Sequence, residues 1–158
     1  MIALLVAMLA TLVCGVVLSV VDLREHRLPN RWVLALTVIV LPSLAIASWL
    51  AEDLGTLIGA LLGGLAMSGV YLAIALISPR SMGMGDVKLA FPLGALVGWF
   101  GWEAWFLALF GAFLIGGLAA LVLMLMRRAG ARTQLAFGPA MIAAALIVAG
   151  LALDAAIA

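Results

Sequence analysis

The chain has 158 residues, 68% hydrophobic and only 9% charged, with a mean hydropathy of +1.39. A soluble domain is roughly half apolar, and here the excess runs along the whole length, which excludes a water-soluble globule and a globule with one anchor. The formal net charge of +1 comes with no basic run or polar tail, so nothing points to nucleic-acid binding. The single cysteine, Cys14, lies within an apolar segment, which leaves no disulfide framework or cysteine metal site. It reads as a small core residue.

In chain order, six segments meet or approach the ~20 apolar residues needed to cross a bilayer. They are Ile2–Val21, Trp32–Leu50, Leu54–Ile77, Val87–Phe100, Ala104–Met126 and Gln134–Leu153. The first lacks the basic flank and small-residue cleavage site of a secretory signal and reads as a retained helix. The third carries Gly55, Gly59 and Gly63, with Gly64 and Gly69 beyond, a small-residue face for close helix packing. The fourth is short and holds Pro92, Gly94 and Gly98, so its polar start is expected inside protein, away from lipid. The fifth has Gly111, Gly116 and Gly117, again read as packing positions. Trp49, Trp99, Trp102 and Trp105 read as anchors at one membrane boundary and Trp32 at the other.

The expectation is an all-α polytopic membrane protein with six transmembrane helices, forming a single domain over 1–158. All eight basic residues fall in alternate connections: Arg24, Arg27 and Arg31; Arg80 and Lys88; Arg127, Arg128 and Arg132. Glu52, Asp53 and Glu103 occupy the others, with Asp154 near the C-terminus. The positive-inside rule then puts the basic connections in the cytosol and both termini outside, in a multi-pass protein of the inner (cytoplasmic) membrane. Asp22, ending span one, and Asp86, beginning span four, therefore share one membrane depth on the inner side. Carboxylates so placed are rare and usually functional.

Three stretches are candidates for chemistry. In "VVDLREHRLPNRW" (21–33), Pro29 breaks the helix, and a helix continuing past the bilayer edge would set Asp22, Glu25 and His26 on one face. Glu25, His26 and the arginines read as a solvated loop, whereas Asp22 follows twenty apolar residues directly. In "GMGDVKLA" (83–90), Gly83 and Gly85 free the backbone and leave room for another chain, while Asp86 by itself could be an ordinary N-cap. "AFGPA" (136–140) could merely start a helix and alone carries no function.

With their order, these motifs resemble the type IV prepilin peptidases, GxGD-type intramembrane aspartic proteases: D-L-x-x-x-x-L-P-N at 22–30, G-M-G-D-V-K-L at 83–89 and F-G-P at 137–139. The resemblance spans essentially the whole chain. It implies Asp22 and Asp86 as the catalytic pair and a prepilin or pilin-like precursor as substrate, cut at the cytosolic side of its apolar helix to release a short basic leader. The family usually has Ile where Leu28 stands and often Pro where Ala136 stands. No C-x-x-C motif and no long connection follows span one, so the chain looks like the short, peptidase-only members without an N-terminal methyltransferase domain. Such members serve tight-adherence (Flp-type) pili of the type IV pilus class, or related secretion and archaeal systems.

Two aspartates sharing a proton can hydrolyse a peptide without metal or cofactor, one as base on a water and the other as acid to the carbonyl. Helix polarity favours Asp86, at a helix start, as the base. Gly83 and Gly85 are expected to let the substrate strand lie against the loop, and Glu25 to attract the basic leader. Lys88, about 200° around the helix from Asp86, is expected to meet lipid headgroups. A metalloprotease would need a cluster such as H-E-x-x-H, and the only histidine is His26. Ser19, Ser68 and Ser81 lack a nearby base apart from His26. The alternative from another class is a small ion-coupled transporter or channel using Asp22 and Asp86 as a proton relay. The small-residue faces can pack within or between chains, which leaves a homo-oligomer open.

Overall fold

A computed structural model describes residues 1–25, 27–78, 82–126 and 136–157. These form six α-helices: α1 (Ile2–Glu25), α2 (Asn30–Leu50), α3 (Leu54–Ile77), α4 (Met84–Gly98), α5 (Trp102–Leu125) and α6 (Gly138–Ile157). There is no strand among the described residues, as expected of a chain whose backbone polar groups must be satisfied within each apolar segment. His26, Arg80, Ser81, Arg127, Arg128 and Arg132 lie outside the described residues, and with them much of the charge pattern used for orientation.

Local chemistry sets the helix boundaries. Pro29, with φ of −65°, precedes α2 and accepts from the amides of Trp32 and Val33. Asp53 caps α3, its carboxylate accepting from Gly55 N–H at 2.8 Å. Between α4 and α5 the chain turns at Gly101, whose φ of +109° suits glycine. Inside the helices, the hydroxyls of Thr11, Thr37 and Ser43 donate to carbonyls four residues earlier, each at 2.8 Å, so they enter apolar surroundings already paired.

Five helices are long and apolar enough to cross a membrane, and α4 is the exception. Its 15 residues extend about 22 Å, against roughly 30 Å of hydrocarbon. Burial explains its composition: Asp86, Val87, Leu89, Ala90 and all of 92–98 are shielded, and α4 touches every other helix. The outer helices instead turn large apolar side chains outward, among them Leu9, Leu61, Phe110 and Leu118.

The tightest seam joins α3 and α4 through facing glycines. A methyl group on Gly63 would lie 2.7 Å from the Gly94 carbonyl oxygen, and one on Gly59 2.9 Å from that of Gly98. The packing reading of α3 therefore holds at Gly59, Gly63 and Gly64. Gly69 and Gly117 face open space, whereas Gly111 and Gly116 meet α6. Pairing 59 with 98 and 64 with 91 makes α3 and α4 antiparallel, and pairing 15 with 142 and 22 with 138 does the same for α1 and α6.

The tryptophans divide. Trp49 is 79% exposed, as a boundary anchor should be, but Trp105 is 4% exposed and donates to the Gly63 carbonyl at 2.8 Å. Trp99 donates to Ser48 Oγ at 2.9 Å. Both indoles join helices, and Trp105 is turned inward by helix rotation where position along the span alone suggests an anchor.

Candidate active site

Four helix ends meet around the two aspartates: the end of α1 and the starts of α2, α4 and α6. Asp22 lies one turn before the end of α1 and is 5% exposed; Asp86 lies in the first turn of α4 and is 8% exposed. No other acidic or basic side chain among the described residues is buried.

Each carboxylate is held by a glycine amide. Helix α4 begins at Met84, earlier than the apolar run suggests, so Gly83 is the N-cap and Asp86 the third helical residue. Asp86 Oδ2 accepts from Gly83 N–H at 3.1 Å, while Asp86 N–H donates to the Gly83 carbonyl at 3.1 Å. This reciprocal pair is the backbone form of a capping box and replaces the simple N-cap role anticipated for Asp86. Asp86 Oδ1 is buried without a hydrogen-bond partner, a condition uncommon enough in folded proteins to suggest function.

Asp22 Oδ2 accepts from Gly138 N–H at 3.1 Å. The F-G-P segment thus reaches a candidate catalytic residue directly, although its sequence gave no more than a helix start. Both carboxylates consequently sit at helix N-termini, Asp86 in α4 and Asp22 against α6. The polarity argument that singled out Asp86 as the base loses its basis, since it weighed only the helix on which each residue lies.

Leu28 fills the space between the motifs. A methyl group on Gly85 would lie 2.9 Å from Leu28 Cβ, and one on Gly138 3.4 Å from Leu28 Cδ2. The chain that Gly85 admits is therefore the protein's own α1–α2 connection, which leaves Gly83, exposed and extended at φ −81° and ψ 152°, as the more accessible of the two glycines. Lys88, exposed, donates from Nζ to Asn30 Oδ1 at 3.0 Å, which ties it to α2.

Glu25 ends α1 with its side chain half exposed and pairs with Arg27 at 2.9 Å, apart from the buried Asp22. Behind the aspartates, Tyr71 is fully buried in α3, its ring centroid 5.8 Å from Phe113 and 6.0 Å from Phe137. Among the described residues no three His, Cys, Asp or Glu side chains form a group that could hold a metal ion.

Residues 9–121 match the model of the Type IV leader peptidase family. The chain belongs to that family. Among its relatives, a prepilin leader peptidase/N-methyltransferase of Stutzerimonas stutzeri is 31% identical over 125 residues, covering 77% of this chain and 41% of the relative. A protein of the same description from Pseudomonas aeruginosa is 31% identical over 123 residues, with the same coverage of each. One from Aeromonas salmonicida is 36% identical over 83 residues, 52% of this chain and 28% of the relative. The chain thus spans about two-fifths of the length of the first two leader peptidases. No solved structure matches it. The matched region includes both Asp22 and Asp86, and the prepilin peptidase resemblance carried by their motifs is borne out at the level of the family.

Proposed function

We propose that this chain is an intramembrane aspartic endopeptidase of the GxGD type, which removes the short basic leader of prepilins or pilin-like precursors at the cytoplasmic membrane face. The observation that carries the reading is the burial of Asp22 and Asp86, alone among the described acidic and basic side chains, where four helix ends meet. One carboxylate takes a proton from water while the other, protonated, donates to the scissile carbonyl, and the roles reverse as the amine leaves. Two carboxylates brought close in a poorly hydrated site share one proton and titrate as a unit.

In this reading residues 1–158 form one membrane-embedded peptidase domain of six spans, with α4 completing the count as a short helix sheathed by protein. Both termini are extracytoplasmic, and the aspartates open toward the cytosol, where the leader of an unprocessed pilin lies. Gly83 borders the path of the substrate backbone, and Gly85 shapes that path from behind by seating Leu28. Glu25, half exposed, attracts the leader's basic residues, so Glu25→Gln should raise KM with kcat unchanged, and unaltered kinetics would remove it from the site.

The test is purified protein in detergent mixed with a pilin precursor. Release of the leader, abolished by Asp22→Asn or Asp86→Asn and insensitive to chelator, supports the peptidase. Proton or ion flux in liposomes without cleavage would support the transporter instead.

A further inference from the structure

We infer that the Gly138 backbone amide is a positioning group for Asp22, presented by the N-terminus of α6 and kept in place by Leu28 and Phe137. The inference rests on the aspartate pair proposed above and assigns work to a segment that reading leaves idle.

The first N–H groups of a helix have no partner within it. In α6 the earliest internal bonds are donated by Ala140 and Met141, both to the Phe137 carbonyl, at 3.1 and 3.2 Å. The Gly138 amide is therefore free of helical duty, and it is spent on Asp22 Oδ2 across 116 positions of sequence. A side chain at 138 would conflict with that bond, because its first carbon would fall 2.9 Å from Asp22 Oδ2. Only a glycine lets both the amide and the carboxylate keep these places.

Two contacts fix where the α6 start lies. Phe137 rests over Gly116 of α5, where a methyl group would meet its ring at 2.6 Å, and its centroid is 5.3 Å from that of Phe113. Leu28 wedges between Gly138 and Gly85, so a displacement of α6 would be felt at the start of α4 as well. Asp86 has the matching arrangement within its own helix, where Gly83 N–H holds Oδ2. Each carboxylate is thus oriented by a neutral backbone donor, which adds no competing charge to the pair.

The experiment compares Gly138→Ala with Asp22→Asn and Gly150→Ala on a synthetic peptide carrying a basic leader and an apolar segment. Gly150 faces open space, so its variant should behave as the unmodified enzyme. Gly138→Ala should lower kcat by up to about a hundredfold, as misplacement of a reacting group by about an ångström does. KM should stay unchanged, and the acidic limb of the kcat–pH profile should be displaced.

Unchanged kcat, a rise in KM alone, or a loss by one constant factor at every pH would overturn the inference while leaving the aspartate pair standing. Full cleavage by Asp22→Asn would overturn the pair itself. Should Gly138→Ala fail to fold, Leu28→Ala replaces it, with the same displaced profile expected and restored by Leu28→Ile. A Leu28→Ala enzyme with an undisturbed profile would then reject the proposal.

Discussion

Lys88 Nζ donates to Asn30 Oδ1 at 3.0 Å, tying the second turn of α4 to the first turn of α2 across 58 positions. The bond links the two motifs that carry Asp22 and Asp86 without touching either carboxylate. Because it is exposed, water competes for both ends, and its contribution to stability is small, about 1 kcal/mol. Lys88→Met and Asn30→Ala should each lower the melting temperature in detergent by a few degrees and reduce cleavage less than tenfold. Loss of cleavage comparable to that of Asp86→Asn would show that Lys88 acts in the reaction itself.

The glycine seam between α3 and α4 makes a sharper demand. A side chain at Gly63 would enter the Gly94 carbonyl at 2.7 Å and the Gly98 backbone at 2.9 Å, with little room for either helix to move. Gly63→Val should destabilise by about 1–3 kcal/mol, the usual range for overpacking. Gly69→Ala, which enters open space, should stay within about 0.5 kcal/mol of the parent. Thermal melts of the two variants check the contrast, and equal stability would contradict the packing.

Membrane orientation can be read by thiol labelling. Ala51 and Arg27 are exposed, in connections on opposite ends of α2, while the native Cys14 is buried and should stay silent. In intact cells, Ala51→Cys should react with a membrane-impermeant maleimide, and Arg27→Cys should react only after permeabilisation. The reverse pattern would place both termini in the cytosol and the aspartates on the wrong side for an unprocessed pilin.

Much of this architecture is legible in the sequence because apolar runs report directly on helices. The run Leu54–Ile77 coincides with α3, and of its glycines at four-residue spacing Gly59 and Gly63 meet α4, while Gly55 lies against the Asp53 cap. Other boundaries move by a few residues for local reasons. Helix α4 starts at Met84 because Gly83 and Asp86 exchange hydrogen bonds, where a glycine-rich stretch reads as a break. Trp105 departs from the boundary reading because position along a span does not reveal which way a side chain faces. The Gly138–Asp22 bond was invisible for a deeper reason: it requires the packing of α6 on α1, seen where Ile142 fills the notch at Gly15. Glycine-proline at a helix start carries no trace of that distant partner.

The central claim is that Asp22 and Asp86 act as one catalytic unit, and a double-mutant cycle on cleavage tests it most directly. Asp22→Asn and Asp86→Asn should each lower kcat by at least about a hundredfold, the lower end of what general acid–base catalysis contributes. The double variant should be scarcely worse than either alone, as for residues that work only together. Losses that multiply in the double variant, or substantial cleavage by either single variant in folded protein, would contradict the account.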